Sequence, residues 1–272
     1  MNEITKEDIE IGFLGGGVKK GDTLMVHSSF KSLGGVEGGP KAVIEALLGA
    51  VGDMGTIVMP TFNWDFGSGI PYDHLYTKSQ MGILTEIVRN MPEASRIHHP
   101  LYSFAIIGHR SEEFGKINNI SAYGPDSAFA KLIEIDGRVL TIGLPYQKSF
   151  TIIHHVEEMS GCNYRFMKSF TGDIIFPDRH VERKTYYMNC RDVRGGVLTQ
   201  ITPWGHRLEE LGVIGKFKIG GAEIKLANAR DIYDTMKYFP ISEPHLLREV
   251  PPGYMGVADM PYSERVFVAP EK

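Results

Sequence analysis

Apolar residues recur along this chain in two rhythms, and the rhythms alternate. TKEDIEIGFLGGGV opens on a capping-box pair, Thr5 and Asp8, spaces its apolar residues as a helix does, and ends in glycines that stop the helix. DTLMVHSS is an apolar run passing into polar residues, which predicts a strand. GGVEGGPKAVIEALLGAVG predicts a glycine-rich loop and then a helix, with Pro40 suited to its first turn. GTIVMPTF is a second strand closed by Pro60, and MGILTEIVRNM carries a 3.6-residue period. YSFAIIG is a third strand, SAFAKLIEIDG a helix capped by Ser127, and GRVLTIGL a fourth strand. SFTIIHHVEEM, residues 149 to 159, follows as a helix.

This alternation predicts an α/β fold, a sheet covered by helices on both faces. Between about residues 160 and 222 the texture changes. DIIFP, TYYMNC and VLTQITPW look like short strands separated by polar turns. They predict a smaller antiparallel β-rich subdomain inside a single domain spanning residues 1–272. AEIKLANARDIYDTMKYF restores a strand and a helix. The proline-rich tail FPISEPHLLREVPPGYMGVADMP is expected to wrap the surface.

Composition narrows the classes. Of 272 residues 42% are hydrophobic, enough for a sizeable core. A net charge of −4 argues against nucleic-acid binding, which needs a basic surface. Cys162 and Cys190 make neither a disulfide framework nor a zinc site and are expected to be reduced thiols. MNEITKEDIEIGF lacks the basic and apolar regions of a signal peptide, and no run reaches the roughly 18 apolar residues of a membrane span. The expectation is a cytoplasmic protein without nucleic-acid or membrane partners.

Several chemistries can be weighed on spacing alone. HSSFKSLGGVEGGP joins a strand to a helix N-terminus, where backbone N–H groups can seat a phosphate or an amide chain, or simply form a turn. It has neither the P-loop nor the G-x-G-x-x-G spacing. Ser28 and Ser29 lack the G-x-S-x-G elbow of a serine hydrolase. His98 and His99 in RIHHPLYSF point to opposite faces of an extended chain, and no H-E-x-x-H occurs, so no metal is expected. On the SFTIIHHVEEM helix, Thr151, His154, His155 and Glu158 share a face, and His154 can also meet Glu157. A carboxylate beside an imidazole suits a general base, and a helix after a central strand is a frequent place for a site. Spacing leaves both glutamates open as the partner, and a merely structural polar border is the competing reading.

The segments GDTLMVHSSFKSLGGVEGGPKAVIEALL, GTIVMPTF, RIHHPLYSFAIIG, SAFAKLIEIDGRVLTIGL and TIIHHVEE occur in an order that resembles the aminoglycoside 3-N-acetyltransferase family, distinct from the GNAT acetyltransferases. The likeness runs from about residue 18 to about residue 236. It implies a mixed central sheet flanked by helices and an acyl-CoA-dependent N-acyltransferase that moves an acetyl or similar acyl group from CoA to an amino group of an aminoglycoside or amino sugar by direct transfer, with a homodimer left open. The family pattern T-x-x-H-x-x-E falls on Thr151, His154 and Glu157. By this resemblance His154 is the general base, Glu157 orients it, and Thr151 supports the departing sulfur. His27, Ser28, Ser29 and Phe30 would line the pantetheine arm, and His99, Ser103 and Phe104 would complete the CoA tunnel.

Two departures bear on the acceptor. The family shows DSNT or DSVT before the motif. Here QKSFT is one residue longer and puts Lys148 where an aspartate normally lies. The usual GxxSP is GPDSA at residues 124 to 128. A polycationic antibiotic prefers an acidic cleft, so the lysine leans the expectation toward an amino sugar of surface-glycan or secondary metabolism. Asp65, Asp73 and Glu86 are the acidic residues expected to hold a cationic acceptor if one binds. A non-catalytic CoA-binding protein is the alternative of another class.

Overall fold

The computed structural model describes residues 3–192, 198–239, 247–248 and 265–266. The strands are β1 Thr23–Ser28, β2 Thr56–Pro60, β3 Tyr72–Asp73, β4 Ser95–Arg96, β5 Phe104–Gly108, β6 Arg138–Ile142, β7 Arg165–Ile175, β8 Val181–Arg191, β9 Leu198–Thr199, β10 Gly215–Ile219, β11 Ala222–Asn228, β12 Leu247–Arg248 and β13 Arg265–Val266. The helices are α1 Lys6–Gly15, α2 Gly39–Val51, α3 Ile83–Arg89, α4 Ser111–Gly115, α5 Ala128–Glu134, α6 Tyr146–Ser149, α7 Ile152–Ser160, α8 Ile201–Glu210 and α9 Ala229–Met236.

Seven strands form the main sheet in the order β10-β11-β6-β1-β2-β5-β4. Only β1 with β2 and β1 with β6 run parallel, and the outer pairs are antiparallel, so the sheet is mixed, as the family resemblance implies. The central strands are buried along nearly their whole length because both faces are covered. Successive residues serve opposite cores: Met25, Val58 and Val139 face one, while Leu24, Val26, Ile57 and Leu140 face the other. The second core is closed by α1, α2 and α3. The first is closed by α5, α7, α8 and α9 and by the β7–β8 hairpin.

That hairpin pairs along its whole length, from Arg165 opposite Arg191 to Ile175 opposite Val181. β3 and β13 pair with its β7 strand. Within the same stretch of sequence β10 joins the main sheet instead. One segment differs from the sequence expectation. Among the described residues of VLTQITPW, Leu198–Thr199 is a strand and ITPW opens α8. Ile201, Trp204 and Leu208 lie three and four residues apart and are all buried, a helical period that a short strand window hides. Pro203 is tolerated because a first-turn N–H has no intrahelical acceptor. Apart from the two short strand segments, the tail from residue 240 lies outside the described residues. No helix among the described residues is long and apolar enough to cross a membrane. Both cysteines are buried and outside any disulfide.

α8 fixes the short α6 helix, which proves to border the site. Tyr146 donates its hydroxyl to Glu209 of α8 and packs edge-on against Phe150 at 5.1 Å. Lys225 of β11 lies 5.0 Å above the Tyr146 ring. Gly205 allows this contact: a Cβ there would sit 2.2 Å from the Tyr146 Cγ. Gly205→Ala is therefore expected to cost about 1–3 kcal/mol of stability through overpacking, in spite of alanine's better helix propensity. Denaturant unfolding checks this, and an unchanged or raised midpoint would show that Tyr146 is free to move aside.

Candidate active site

Parallel strands β1 and β6 end side by side, with Ser28 opposite Ile142. The chain leaves β6 through Leu144 and Pro145 into α6 and then α7, so the start of α7 stands over the carboxyl end of β1. Thr151, the residue before α7, places its Oγ1 3.0 Å from Nε2 of His27 on β1. Burial pushes the His27 imidazole down to about 4, so it is neutral near pH 7. One turn into α7, His154 sets Nδ1 2.8 Å from Oε2 of Glu157.

Glu157 has no exposed side-chain surface. Burial alone would push its carboxyl up, but Arg165 at 2.5 Å and His154 outweigh that and hold it below the usual carboxylate value. Tyr164 donates its hydroxyl to the other oxygen at 3.0 Å. Burial, and then the Arg165 charge, hold His154 below its ordinary value against the opposing pull of Glu157. Arg165 Nη2 also lies 3.0 Å from His154 Nδ1. That nitrogen cannot both donate to Glu157 and accept from Arg165. The anionic carboxylate favours the tautomer with its proton on Nδ1, which leaves the Nε2 lone pair available.

The adjacent pair goes elsewhere. His155 donates from Nδ1 to the Tyr123 carbonyl at 2.7 Å. Glu158 accepts from the Ser121 hydroxyl at 2.6 Å, and burial pushes it up to about 7. The 121–124 turn thus takes one His–Glu pair while β7 takes the other.

His27, Ser28, Thr151 and His154 line a single cavity of about 720 Å³. Phe62, Trp64 and Tyr102 form an aromatic wall on it, with Trp64 and Tyr102 rings 5.2 Å apart. Gln147, Lys148 and Ser149 of α6 form another side, joined by Arg191 and the first residues of α8. The remaining expected residues stand outside this lining. Ser29 donates its backbone N–H to Ile142 O at 2.8 Å, and Phe30 packs against the opposite core. His99 is buried and accepts from the backbone N–H groups of Leu101 and Tyr102 at 3.3 and 3.0 Å, so it shapes the turn that presents Tyr102. Ser103 bonds to Thr61 Oγ1 at 2.7 Å, and Phe104 lies edge-on beneath Phe62 at 5.1 Å. These three support the aromatic wall from behind.

The glycine-rich loop uses its own amides structurally: Gly35 O accepts from Ile4 N–H, and Glu37 N–H donates to Ile4 O, both at 3.0 Å. The expected acidic residues are held by neighbours. Asp65 accepts from Gln80 at 3.0 Å, Asp73 pairs with Arg179 at 2.7 Å, and Glu86 with Arg89 at 2.8 Å. None of them lines the cavity. Among the described residues no group of three or more His, Cys, Asp or Glu side chains is placed to hold a metal.

Trp64, Tyr102, Arg165 and Arg191 escaped the sequence reading. Tyr102 stood inside the motif HPLYSF with its aromatic bulk as the only signal. Arg165 has none, since it reaches Glu157 only once β7 folds back on α7.

This geometry can be set beside known proteins. The family model for aminoglycoside 3-N-acetyltransferase matches residues 25–239. Aminoglycoside N(3)-acetyltransferase IV of a Salmonella species is 30% identical over 224 residues, covering 80% of each chain. The crystal structure of aminoglycoside acetyltransferase AAC(3)-IVa, as apoenzyme, superposes with a TM-score of 0.77 at 27% identity, covering 96% of this chain and 97% of that one. The binary complex of AAC-IIIb with CoASH superposes at 0.75 and 22% identity, covering 89% and 96%. With its residues 25–239 matched and its fold shared, the chain belongs to the aminoglycoside 3-N-acetyltransferase family.

Proposed function

We propose that this protein transfers an acetyl group from acetyl-CoA to an amino group on a sugar or aminocyclitol, by direct attack with His154 as general base. The observation that carries the reading is the buried Arg165–Glu157–His154 chain of contacts, which opens with Thr151 on one cavity. Family membership supplies the reaction class, and the CoASH complex of a relative with the same fold supports the donor. The cavity is within the size range of small-molecule sites, with aromatic faces for the apolar side of a sugar ring.

The chemistry follows from the contacts. An amine attacks only as its neutral form, and the new C–N bond turns its nitrogen acidic. His154 Nε2 accepts that proton while Nδ1–H stays on Glu157. The imidazolium so formed is stabilised by the carboxylate beside it, which Arg165 keeps ionised. Collapse breaks the C–S bond, and the proton on Nε2 returns to the thiolate, directly or through water. With the His27 proton on Nε2, Thr151 accepts that N–H and has its own O–H to donate to the departing sulfur. Orientation within the ternary complex supplies the remaining acceleration without a covalent intermediate.

Following thiol release from acetyl-CoA across a panel of amino sugars and aminoglycosides tests the proposal. Release that requires an amine supports it, and release without one, or none with any amine, contradicts it. His154→Gln is expected to lower kcat by about 10²–10⁴-fold and to change the acetyl-CoA KM by less than about threefold. A wild-type kcat in that variant would remove His154 from the role. Glu157→Gln should also lower kcat, and it should cost about 3–5 kcal/mol of stability, because it leaves Arg165 buried beside a neutral amide. A denaturation midpoint equal to that of His154→Gln would contradict this. The acid limb gives a third check. The base works when neutral and its pKa lies below the ordinary 6.5, so with a weakly basic acceptor amine, neutral across the range, kcat should rise with pH through a midpoint below 6.5 and level off above it. A midpoint at or above 6.5 would overturn the assigned direction.

A further inference from the structure

The α6 segment contributes a charge that the transfer chemistry does not use. Lys148 is exposed and lines the same cavity as Thr151 and His154, only a few residues upstream. No hydrogen bond or ion pair holds its ammonium among the described residues. Its backbone is nevertheless well anchored. Tyr146 is held by Glu209, the Ser149 hydroxyl donates to Pro145 O at 3.0 Å, and Gln147 Oε1 accepts from Ile201 N–H at 2.8 Å. The ammonium therefore swings from a fixed point on the cavity wall. Arg191 adds a second cation to the lining.

No aspartate or glutamate appears among the described lining residues. Two acids that adjoin lining residues are held by other groups: Asp65, next to Trp64, by Gln80 and Asn63, and Glu157, beside His154, by Arg165 beneath the surface. The exposed Lys148 ammonium on this edge repels a polycation and attracts an anion. It also favours the neutral form of a bound amine, since nearby positive charge and apolar walls both lower an ammonium pKa. The same field that selects against a polycation thus helps prepare the nucleophile.

Resting on the transfer reaction proposed above, the geometry points to Lys148 as a specificity-determining residue that selects acceptor amines bearing an anionic group, of the class of a phosphorylated amino sugar. The amine reaches His154 Nε2 while the phosphate is paired by the Lys148 ammonium at the cavity edge.

The test measures kcat/KM by thiol release with acetyl-CoA and four probes: glucosamine, glucosamine 1-phosphate, glucosamine 6-phosphate and apramycin. At least one phosphate ester should exceed both glucosamine and apramycin by about tenfold or more, the ratio one extra charge contact gives. About 0.5 M salt should shrink that preference. Lys148→Glu should abolish it by raising the acceptor KM, with little effect on acetyl-CoA KM, and Lys148→Arg should restore it. Apramycin outperforming both phosphate esters would overturn the inference and leave the transferase reading standing. So would a Lys148→Glu enzyme whose defect lies in acetyl-CoA KM, which would make Lys148 a contact of the CoA phosphates. Absence of thiol release with every amine would instead strike the transfer reaction itself, and the inference with it.

Discussion

A fully buried carboxylate is the constraint around which this site is built. Glu157 has lost its water, and a carboxylate in that position stays charged only if protein groups replace the hydration. Arg165 and Tyr164 do so from the start of the β7 hairpin and the loop before it, and His154 does so from the same helix. Glu158 provides the contrast within one turn of helix. It is also largely buried, but it receives only a serine hydroxyl, and its carboxyl is pushed up to about 7. One glutamate is thereby kept as a standing anion that polarises an imidazole, and its neighbour is not.

That requirement explains why the hairpin accompanies the sheet. The parallel pair β1–β6 supplies His27 and the point from which α6 and α7 emerge, but no cation for Glu157. Arg165 enters from β7, whose first residues also carry Phe166 into the shared core. The carboxyl ends of the parallel strands, the start of α7 and the base of the hairpin thus converge on one cavity. Its aromatic wall is supported from behind by Phe104, Ser103 and His99, so residues that never face the cavity still set its shape.

What the sequence made legible follows from the range of each signal. Strand and helix periods are local, so the α/β architecture could be read from alternating windows, and the capping box of α1 is present as both of its reciprocal bonds. Where a window was short the reading slipped: Ile201 and Trp204 belong to a helix that continues past the apolar run. The spacing of Thr151, His154 and Glu157 was legible because all three lie within two turns. Choosing Glu157 over Glu158 was not a matter of spacing, since the choice depends on which side meets β7 and which meets the 121–124 turn. Arg165 lies beyond the bend at Gly161, and Tyr102 and Trp64 meet only in three dimensions, so no local pattern could announce them. Lys148 was visible as a departure from the family pattern, and its place on the cavity wall gives that departure a physical consequence.

The state of one imidazole tests the account most directly. In the folded protein with 15N-labelled histidine, the ring nitrogen shifts of His154 near pH 7, assigned by comparison with His154→Gln, report where its proton sits. The account predicts a neutral ring with its proton on Nδ1, shared with Glu157, and a bare Nε2. A proton on Nε2, with Nδ1 accepting from Arg165, or a doubly protonated ring would contradict it, because His154 would then have no lone pair to offer the attacking amine.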